Sequence, residues 1–291
     1  LREIAVNRLR ELLGEWDSHT VILCTQVYGM EHLLEAGYDA NDLSMPRVIG
    51  QYHGSHREAV HTNDLRRVLN AYKDVDRFIC LSEADAISFR DSGLNNVGWI
   101  ANPVPEPVAE ETVRRNVFVS LGRYDPIKSL QYFVQAWALI ESTLPEWSIE
   151  LYGEGEERDL LQRTIDGLGL QRARLMGMTT DVGTVLKSGK AHVMSSQNEG
   201  LPLAIVEAGY MGTPTVTFDS APGISYLVTD GVDGFVVPLN HTQALADRML
   251  ELAQDSTRCE RMGAAALVSA QRFLPATIMA RWEAELTEMS R

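Results

Sequence analysis

Short hydrophobic runs alternate with segments of helical periodicity along most of the chain. In the first third the runs are TVILCTQV (20–27), RVIGQYH (47–53), DRFICLS (76–82) and VGWIANP (97–103). A second series, spaced by helical segments in the same way, comprises VFVSLGR, WSIELYGEG, RARLMGM, AHVMSS, PTVTFD and GFVVP. Runs of this length are typical of buried strands, and strands that alternate with helices predict parallel pairing through right-handed crossovers. The pattern therefore predicts an α/β protein with two doubly wound halves.

A proline-rich and charged segment, NPVPEPVAEETVRRN, separates the two series. Such a composition is typical of a linker between domains. We therefore predict a first domain at 1–105, a linker at 106–116, a second domain at 117–273 and a C-terminal helix at 274–291.

The loops that follow the strands of the second series are the first place to look for a ligand, because parallel sheets bind ligands at the carboxyl ends of their strands. In SLGRYDPIKSL, Gly122 allows the chain to turn, Arg123 projects from the strand end, and Lys128 is predicted in the first turn of the next helix. Two cations at this position suit a phosphate group. The alternative is a pair of surface cations, one of them bound to Asp125.

A second candidate is SSQNEGLPLAIVEAGYMGTP (195–214), in which a strand ends at a turn and a helix follows. Pro202 fits the first helical position, so that free backbone N–H groups are expected from Gly200 to Leu203. On this helix Glu207 would share a face with apolar residues, which is costly for a carboxylate unless a partner or a ligand binds it. The alternatives are a solvated turn residue for Glu199 and an internal salt bridge for Glu207.

Two weaker signals stand beside these. Gly153 and Gly155 in LYGEGEE form a glycine turn that could admit a nucleotide or simply make a tight turn. In QYHGSHREAVH, His53 follows a strand, where it is either an imidazole that contacts substrate or a hydrogen-bonded turn residue. The histidine spacing in this segment matches no zinc pattern.

Composition and charge narrow the class of protein. The 291 residues are 45% hydrophobic and carry a formal net charge of -14, which argues against binding to nucleic acid. No apolar run is long enough to span a membrane, although peripheral contact is compatible with the sequence. Three widely spaced cysteines are typical of free thiols in a reducing compartment, so we expect a cytoplasmic protein, either free or at the inner face of the membrane. The chain begins with Leu1 in a helical pattern, and we expect its true beginning to be missing.

Taken together, the motifs resemble the retaining glycosyltransferases of the GT-B fold, family 4, also called glycosyl transferases group 1. NEGLPLAIVEAGYMGTPTVTFD is similar to the E-x7-E element of that family, LGRYDPIKSL to its phosphate-binding element, and DGVDGFVVP to its late strand motif. The resemblance is specific from Val117 to about Phe273 and looser before it. It implies two Rossmann-like domains that face a cleft. The first, on the acceptor side, lacks the strand and glycine-rich loop with which the family normally starts.

The resemblance also implies roles for individual residues. Glu199 would bind hydroxyl groups of the transferred sugar, Glu207 the ribose, and Arg123 with Lys128 the diphosphate. The implied catalytic residues are His53, Arg123, Lys128 and Glu199. The implied donor-binding residues are Gly122, Arg123, Lys128, Gly153, Met178, Glu199, Gly200, Leu201, Pro202, Leu203 and Glu207.

The implied reaction is transfer of a hexose from a nucleotide diphosphate sugar, with UDP favoured, to a polymer, lipid or glycosylated acceptor. The configuration of the sugar would be retained, and neither a metal ion nor a cofactor is expected. Two alternatives stay open: a nucleotide-sugar epimerase of the same fold, and a sugar-nucleotide-binding protein without activity.

Overall fold

The structure is a computed structural model that describes residues 1–289, and the chain divides into two compact units. The first unit comprises Leu1–Pro103, Ala221–Gly223 and the C-terminal residues from Ala276. The second comprises Val104–Ser220 and Ile224–Pro275.

The first unit is built on a four-stranded parallel sheet with the strand order β1-β2-β3-β4. Its elements up to residue 99 are α1 (Arg2–Glu15), β1 (Val21–Cys24), α2 (Val27–Glu35), β2 (Arg47–Gln51), α3 (His56–His61), α4 (Leu65–Tyr72), β3 (Arg77–Cys80), α5 (Glu83–Asp91) and β4 (Val97–Trp99). The strand order follows the chain order, because each helical connection returns the chain to the next position in the sheet.

The second unit contains a six-stranded parallel sheet with the order β10-β9-β8-β5-β6-β7. Its elements are β5 (Val117–Leu121), α6 (Gln131–Ile140), β6 (Ser148–Tyr152), α7 (Arg158–Gly167), β7 (Ala173–Gly177), α8 (Val182–Ser188), β8 (Ala191–Met194), α9 (Leu203–Tyr210), β9 (Thr215–Phe218), α10 (Ile224–Leu227), β10 (Gly234–Val237), α11 (Thr242–Gln254) and α12 (Ser256–Ala270). The order reverses at β5, which pairs with β6 on one side and with β8 on the other. Such a reversal opens a crevice at the carboxyl ends of the two strands.

The last helix, α13 (Pro275–Met289), belongs to the first unit. Arg281 on this helix donates a hydrogen bond to the carbonyl oxygen of Trp99, 2.7 Å away, and its guanidinium lies 4.0 Å from the centre of the Trp99 ring. No helix within residues 1–289 is both long and apolar enough to cross a membrane.

The segment predicted as a linker is bound to the second unit. Val104 donates its backbone N–H to the carbonyl oxygen of Phe273 at 2.9 Å. Arg115 makes a two-pronged ion pair with the buried Glu150 at 2.7 and 2.9 Å. The charged residues of this segment therefore serve as attachment points to the second unit.

Aromatic side chains fill the core of the second unit on one face of its sheet. Phe118 on β5 stacks on Trp147 with ring centres 4.8 Å apart, and it meets Trp137 of α6 edge-on. Phe118 and Trp137 are fully buried. Burial of each large side chain stabilises the folded state by about 1.5–3 kcal/mol, so this cluster fixes α6 against the sheet.

The turn after β6 requires a glycine. Gly153 has a φ of +149°, a conformation that other residues rarely adopt, and a Cβ at this position would overlap the carbonyl oxygen of Gly122. The loops after β5 and β6 can therefore touch through their backbones only because residue 153 has no side chain.

We predict that Gly153→Ala lowers the free energy of unfolding by about 2–4 kcal/mol, because both the positive φ and the overlap oppose a Cβ. The matched control is Gly167→Ala at the end of α7, where a Cβ would meet no atom within 4 Å. This second variant should gain about 0.4–1 kcal/mol through the lower entropy of its unfolded chain. Urea titrations of both variants test the prediction, and equal midpoints would contradict it.

Candidate functional site

The loops after β5 and β8 are bound to each other at the carboxyl edge of the second sheet. Gln197 donates its backbone N–H to the carbonyl oxygen of Ile127 at 2.8 Å. The Ser195 hydroxyl donates to the carbonyl oxygen of Ser129 at 3.1 Å. Sequence reasoning assigned no role to Ser195, and only its position directly after a buried strand could have indicated one.

This attachment brings together two of the predicted residues, Lys128 and Glu199. The Lys128 ammonium lies 2.7 Å from Oε1 of Glu199, and the two side chains are only 26% and 11% exposed. An ammonium has three N–H donors and a carboxylate has two acceptor oxygens, so each group keeps capacity for further hydrogen bonds. The ion pair therefore orients both groups without saturating either.

The position of Lys128 differs from the prediction. Helix α6 begins at Gln131, so the prediction that Lys128 lies in the first helical turn was wrong. The reason is the backbone at Ser129, whose φ of +46° is incompatible with a right-handed helix. Lys128 instead lies in a turn closed by Asp125, whose Oδ1 accepts the Lys128 N–H at 2.9 Å.

Arg123 occupies a different environment from Lys128. Its guanidinium lies 2.9 Å from Oδ2 of Asp125, and its side chain is 77% exposed. The interaction with Asp125 is the alternative that the sequence had left open. Since Asp125 binds the Arg123 side chain and the Lys128 backbone with different oxygens, it links the two cations.

Glu207 lies on α9 without a partner. Within residues 1–289 its carboxylate makes no hydrogen bond or ion pair, so the internal salt bridge that the sequence had left open is not found. Burial raises the pKa of this carboxyl above the ordinary value of 4.5. Leu203, one turn earlier, is exposed, which shows that this face of α9 is not packed into the core of the second unit.

The start of α9 offers backbone donors beside these side chains. The helix begins at Leu203, and Pro202, expected as the first helical residue, immediately precedes it with a ψ of 108°. In the described part of the chain, the N–H groups of Gly200, Leu201 and Leu203 have no acceptor. Unpaired N–H groups at a helix start are a common binding site for anions.

Backbone contacts form the neighbouring part of this edge. Gly122 donates its N–H to the carbonyl oxygen of Tyr152 at 3.0 Å, and Gly153 donates to that of Gly177 at 2.8 Å. Met178 follows with a side chain 77% exposed. The predicted residues Gly122, Gly153 and Met178 therefore lie on three successive strand ends.

His192 on β8 is a buried titratable residue that sequence reasoning missed. Its Nδ1 lies 3.1 Å from the Thr215 hydroxyl, and its Nε2 has no partner within the described residues. Burial, with a contribution from the positive charge of Lys128, lowers the pKa of His192 to about 3. The imidazole is therefore neutral and leaves Lys128 as the cation at this point of the sheet.

His53 lies in the first unit, in the loop after β2, and is exposed. The structure describes no hydrogen bond of its side chain within residues 1–289. Desolvation by the surrounding protein lowers the pKa of the imidazole, so the neutral form prevails near pH 7. Its neighbours are engaged elsewhere: His56 Nε2 lies 2.9 Å from the Ser92 hydroxyl and His61 Nδ1 lies 2.8 Å from the Arg57 carbonyl oxygen.

A family model described as "Glycosyl transferases group 1" matches residues 106–268, which is more than half of the chain. This chain belongs to the glycosyl transferases group 1 family. The matched region includes every predicted residue of the second unit, from Gly122 to Glu207.

One curated protein and two solved structures show what this chain is similar to. The chain is 27% identical over 246 residues to an uncharacterized glycosyltransferase of Haemophilus influenzae, which covers 82% of this chain and 67% of that protein. The fold of this chain is similar to that of S. aureus TarM. The TM-score is 0.84 and the identity is 20%, over 97% of this chain and 58% of TarM. Anabaena HepE in complex with UDP gives a TM-score of 0.83 at 20% identity, over 97% of this chain and 82% of HepE. The predicted α/β class and GT-B fold are confirmed.

We predict that Glu207→Gln raises the melting temperature of the ligand-free group 1 chain at pH 7. Burial raises the folded-state pKa of Glu207. The Glu207 carboxyl therefore contributes fully to the stability of the fold only below its unfolded-state pKa, and this contribution is lost as pH rises through the folded-state pKa. The amide of Glu207→Gln does not ionise, so the variant does not lose stability in this way. The advantage of the variant should therefore grow as pH rises above the ordinary carboxyl pKa of about 4.5, as thermal unfolding at several pH values would show.

The matched control for this measurement is Glu146→Gln, since Glu146 is an exposed carboxylate. Its melting temperature should follow that of the unmodified protein at every pH. A melting temperature of Glu207→Gln at or below that of the unmodified protein at pH 7 would contradict the prediction.

Proposed function

We propose that this group 1 glycosyltransferase transfers a hexose from a UDP-sugar to a carbohydrate or lipid-linked acceptor with retention of configuration. The observation that carries the proposal is the ion pair of Lys128 and Glu199 at 2.7 Å, formed by residues 71 positions apart. Beside it on the following helix lies Glu207, a carboxylate without a protein partner in the described chain. One cation and two carboxylates in this order suit a donor with a diphosphate between two hydroxylated sugars.

The diphosphate would be bound by the remaining N–H donors of Lys128, by Arg123 and by the backbone N–H groups from Gly200 to Leu203. Arg123 is exposed and held by one carboxylate, so it can turn towards a phosphate group at little cost. Charge develops on the leaving diphosphate as the glycosidic bond breaks, and positioned donors stabilise that charge. We propose that these groups supply the positive charge and that the reaction uses neither a metal ion nor a cofactor.

The two glutamates would hold the sugars on either side. Oε1 of Glu199 accepts from Lys128, which leaves Oε2 to accept a hydroxyl group of the transferred hexose. Glu207 would accept the ribose hydroxyl groups, which would recover part of the free energy that burial of its carboxylate costs.

The preference for UDP rests on two kinds of support. HepE has been solved in complex with UDP and with UDP-glucose, and TarM in complex with UDP. In this chain the backbone at Met176–Met178, with Gly177 at a φ of +81°, would line the base pocket. In the first unit, His53 as a neutral imidazole would contact the sugar or the acceptor. The family assignment does not favour the epimerase alternative.

We predict that UDP raises the melting temperature of the unmodified protein and that Lys128→Ala and Glu207→Ala each weaken UDP binding roughly 10- to 100-fold. This range corresponds to the loss of one hydrogen bond to a charged group, about 1.5–3 kcal/mol. Isothermal titration calorimetry with UDP measures the change. Binding to Lys128→Ala should also depend less on salt concentration, because one cation is removed.

Matched controls separate the site from general effects of charge. Lys73→Ala and Glu146→Ala remove the same charges at exposed positions, and both should bind UDP as the unmodified protein does. If neither UDP nor a UDP-sugar stabilises the unmodified protein, or if the controls lose as much affinity as the site variants, the proposed donor site is wrong.

We predict that hydrolysis of an α-linked UDP-hexose, with water as the acceptor, first releases the α-anomer of the free hexose. Proton NMR during the first minutes, before the free sugar mutarotates, distinguishes the two anomers. Glu199→Gln should lower the rate and leave the anomer unchanged. Initial release of the β-anomer would contradict retention, and UDP binding without any turnover would favour the inactive alternative.

A further inference from the structure

A cavity of about 500 Å³ lies within the second unit at the amino ends of the sheet strands, opposite to the carboxyl ends described above. Its walls include Lys190, which precedes β8, and Pro214, which precedes β9. The linker segment and α12 supply most of the remaining lining, and the cavity is partly open to solvent. Cavities of roughly 300–1,000 Å³ are typical of small-molecule sites, and this one is separate from the predicted donor residues, which follow the carboxyl ends of the strands.

Arg114 is the central charge of this cavity. Its guanidinium donates to the carbonyl oxygens of Gly189 (2.7 Å), Met211 (2.7 Å) and Gly212 (2.8 Å) and to the Thr213 hydroxyl (3.0 Å). All four acceptors are neutral. These bonds use both N–H groups of Nη1 and both of Nη2, so Arg114 is fixed in place with its Nε–H remaining, and within residues 1–289 no carboxylate forms an ion pair with it.

Two lysines line the same cavity. Lys190 is half-buried, and its ammonium makes no ion pair or hydrogen bond within residues 1–289. The Lys187 ammonium lies 3.6 Å from a carboxylate oxygen of Glu111, which is fully exposed. An exposed ion pair of this kind contributes little, so Lys187 as well as Lys190 can bind an additional anion.

The rest of the lining indicates the body of the ligand. Glu106 and Glu260 are the carboxylates at the cavity, and both are exposed, so they can accept hydrogen bonds from hydroxyl groups. Tyr210, Pro214 and Leu267 supply apolar surface, against which the C–H face of a sugar can pack.

We propose that this cavity binds a small hydroxylated metabolite with a phosphate or carboxylate group, of the sugar phosphate class. The anionic group would lie against Arg114 and Lys190, and the hydroxylated body would lie against the carboxylates and the apolar surface. The position of two cations carries the proposal: a pre-positioned guanidinium with its Nε–H remaining and a half-buried lysine share one cavity, and neither forms an ion pair within residues 1–289.

The test uses the full chain labelled with ¹³C at its methionine methyl groups. Met211 lines the cavity, whereas Met178 lies at the carboxyl edge of the sheet, so the two signals report separate sites. The probes are glucose 1-phosphate, inorganic phosphate and glucose. We expect glucose 1-phosphate to shift the Met211 signal saturably at concentrations that leave Met178 unchanged, and UDP to act on Met178.

Lys190→Gln should weaken glucose 1-phosphate binding about tenfold, as expected for a lost hydrogen bond to a charged group. Lys73→Gln, with the same change in net charge outside the cavity, should bind as the unmodified protein does.

The proposal is overturned if Met211 does not respond, if only Met178 responds, or if Lys190→Gln binds normally. Equal affinity for inorganic phosphate and for glucose 1-phosphate would contradict the inference that the ligand has a hydroxylated body. Since UDP is followed at a different methionine, failure here leaves the proposed donor site unaffected.

Discussion

The parallel pairing of β5 with β8 is the constraint on which the candidate donor site depends. Phe118 pairs with Ala191 and Val119 with His192, which places the carboxyl ends of the two strands side by side. The chain travels through β6 and β7 on one side of β5 before it returns to β8 on the other. Because the order reverses at β5, Lys128 and Glu199 meet although they are 71 positions apart in sequence.

Two glutamates of the second unit show opposite effects of the surroundings on the pKa of a carboxylate. Glu150 is buried, but Arg115 binds both of its oxygens and Tyr152 donates to one of them. Burial raises the pKa of Glu150, yet these hydrogen bonds outweigh the effect and lower it overall. Glu207 has the burial without the hydrogen bonds. Within residues 1–289 no hydrogen bond offsets this burial, so the charged form of Glu207 destabilises the ligand-free fold.

The sequence predicts the strands, the parallel sheets and the region of the site, because these follow from apolar runs and from turn residues at strand ends. It does not distinguish Arg123 from Lys128, since both are cations after the same strand. The different burial of Arg123 and Lys128 depends on the backbone conformation of Ser129 and on the Ser195 hydroxyl, whose hydrogen bond joins the loops after β5 and β8. A positive φ at a serine has no signature in a single sequence. The absence of a partner for Glu207 was equally unpredictable, because only tertiary packing decides which of the 26 cations approaches it.

Cations occur at both ends of the strands of the second sheet, in a protein with a formal net charge of -14. At the carboxyl edge the cations come from the loop between β5 and α6, and at the amino edge they come from the residues that precede β5 and β8. The linker segment supplies Arg114 to one edge and begins the strand that presents Lys128 at the other. Strand β5 therefore connects Arg114 at one end of the sheet to Lys128 at the other, and a change in its register would displace these two cations together.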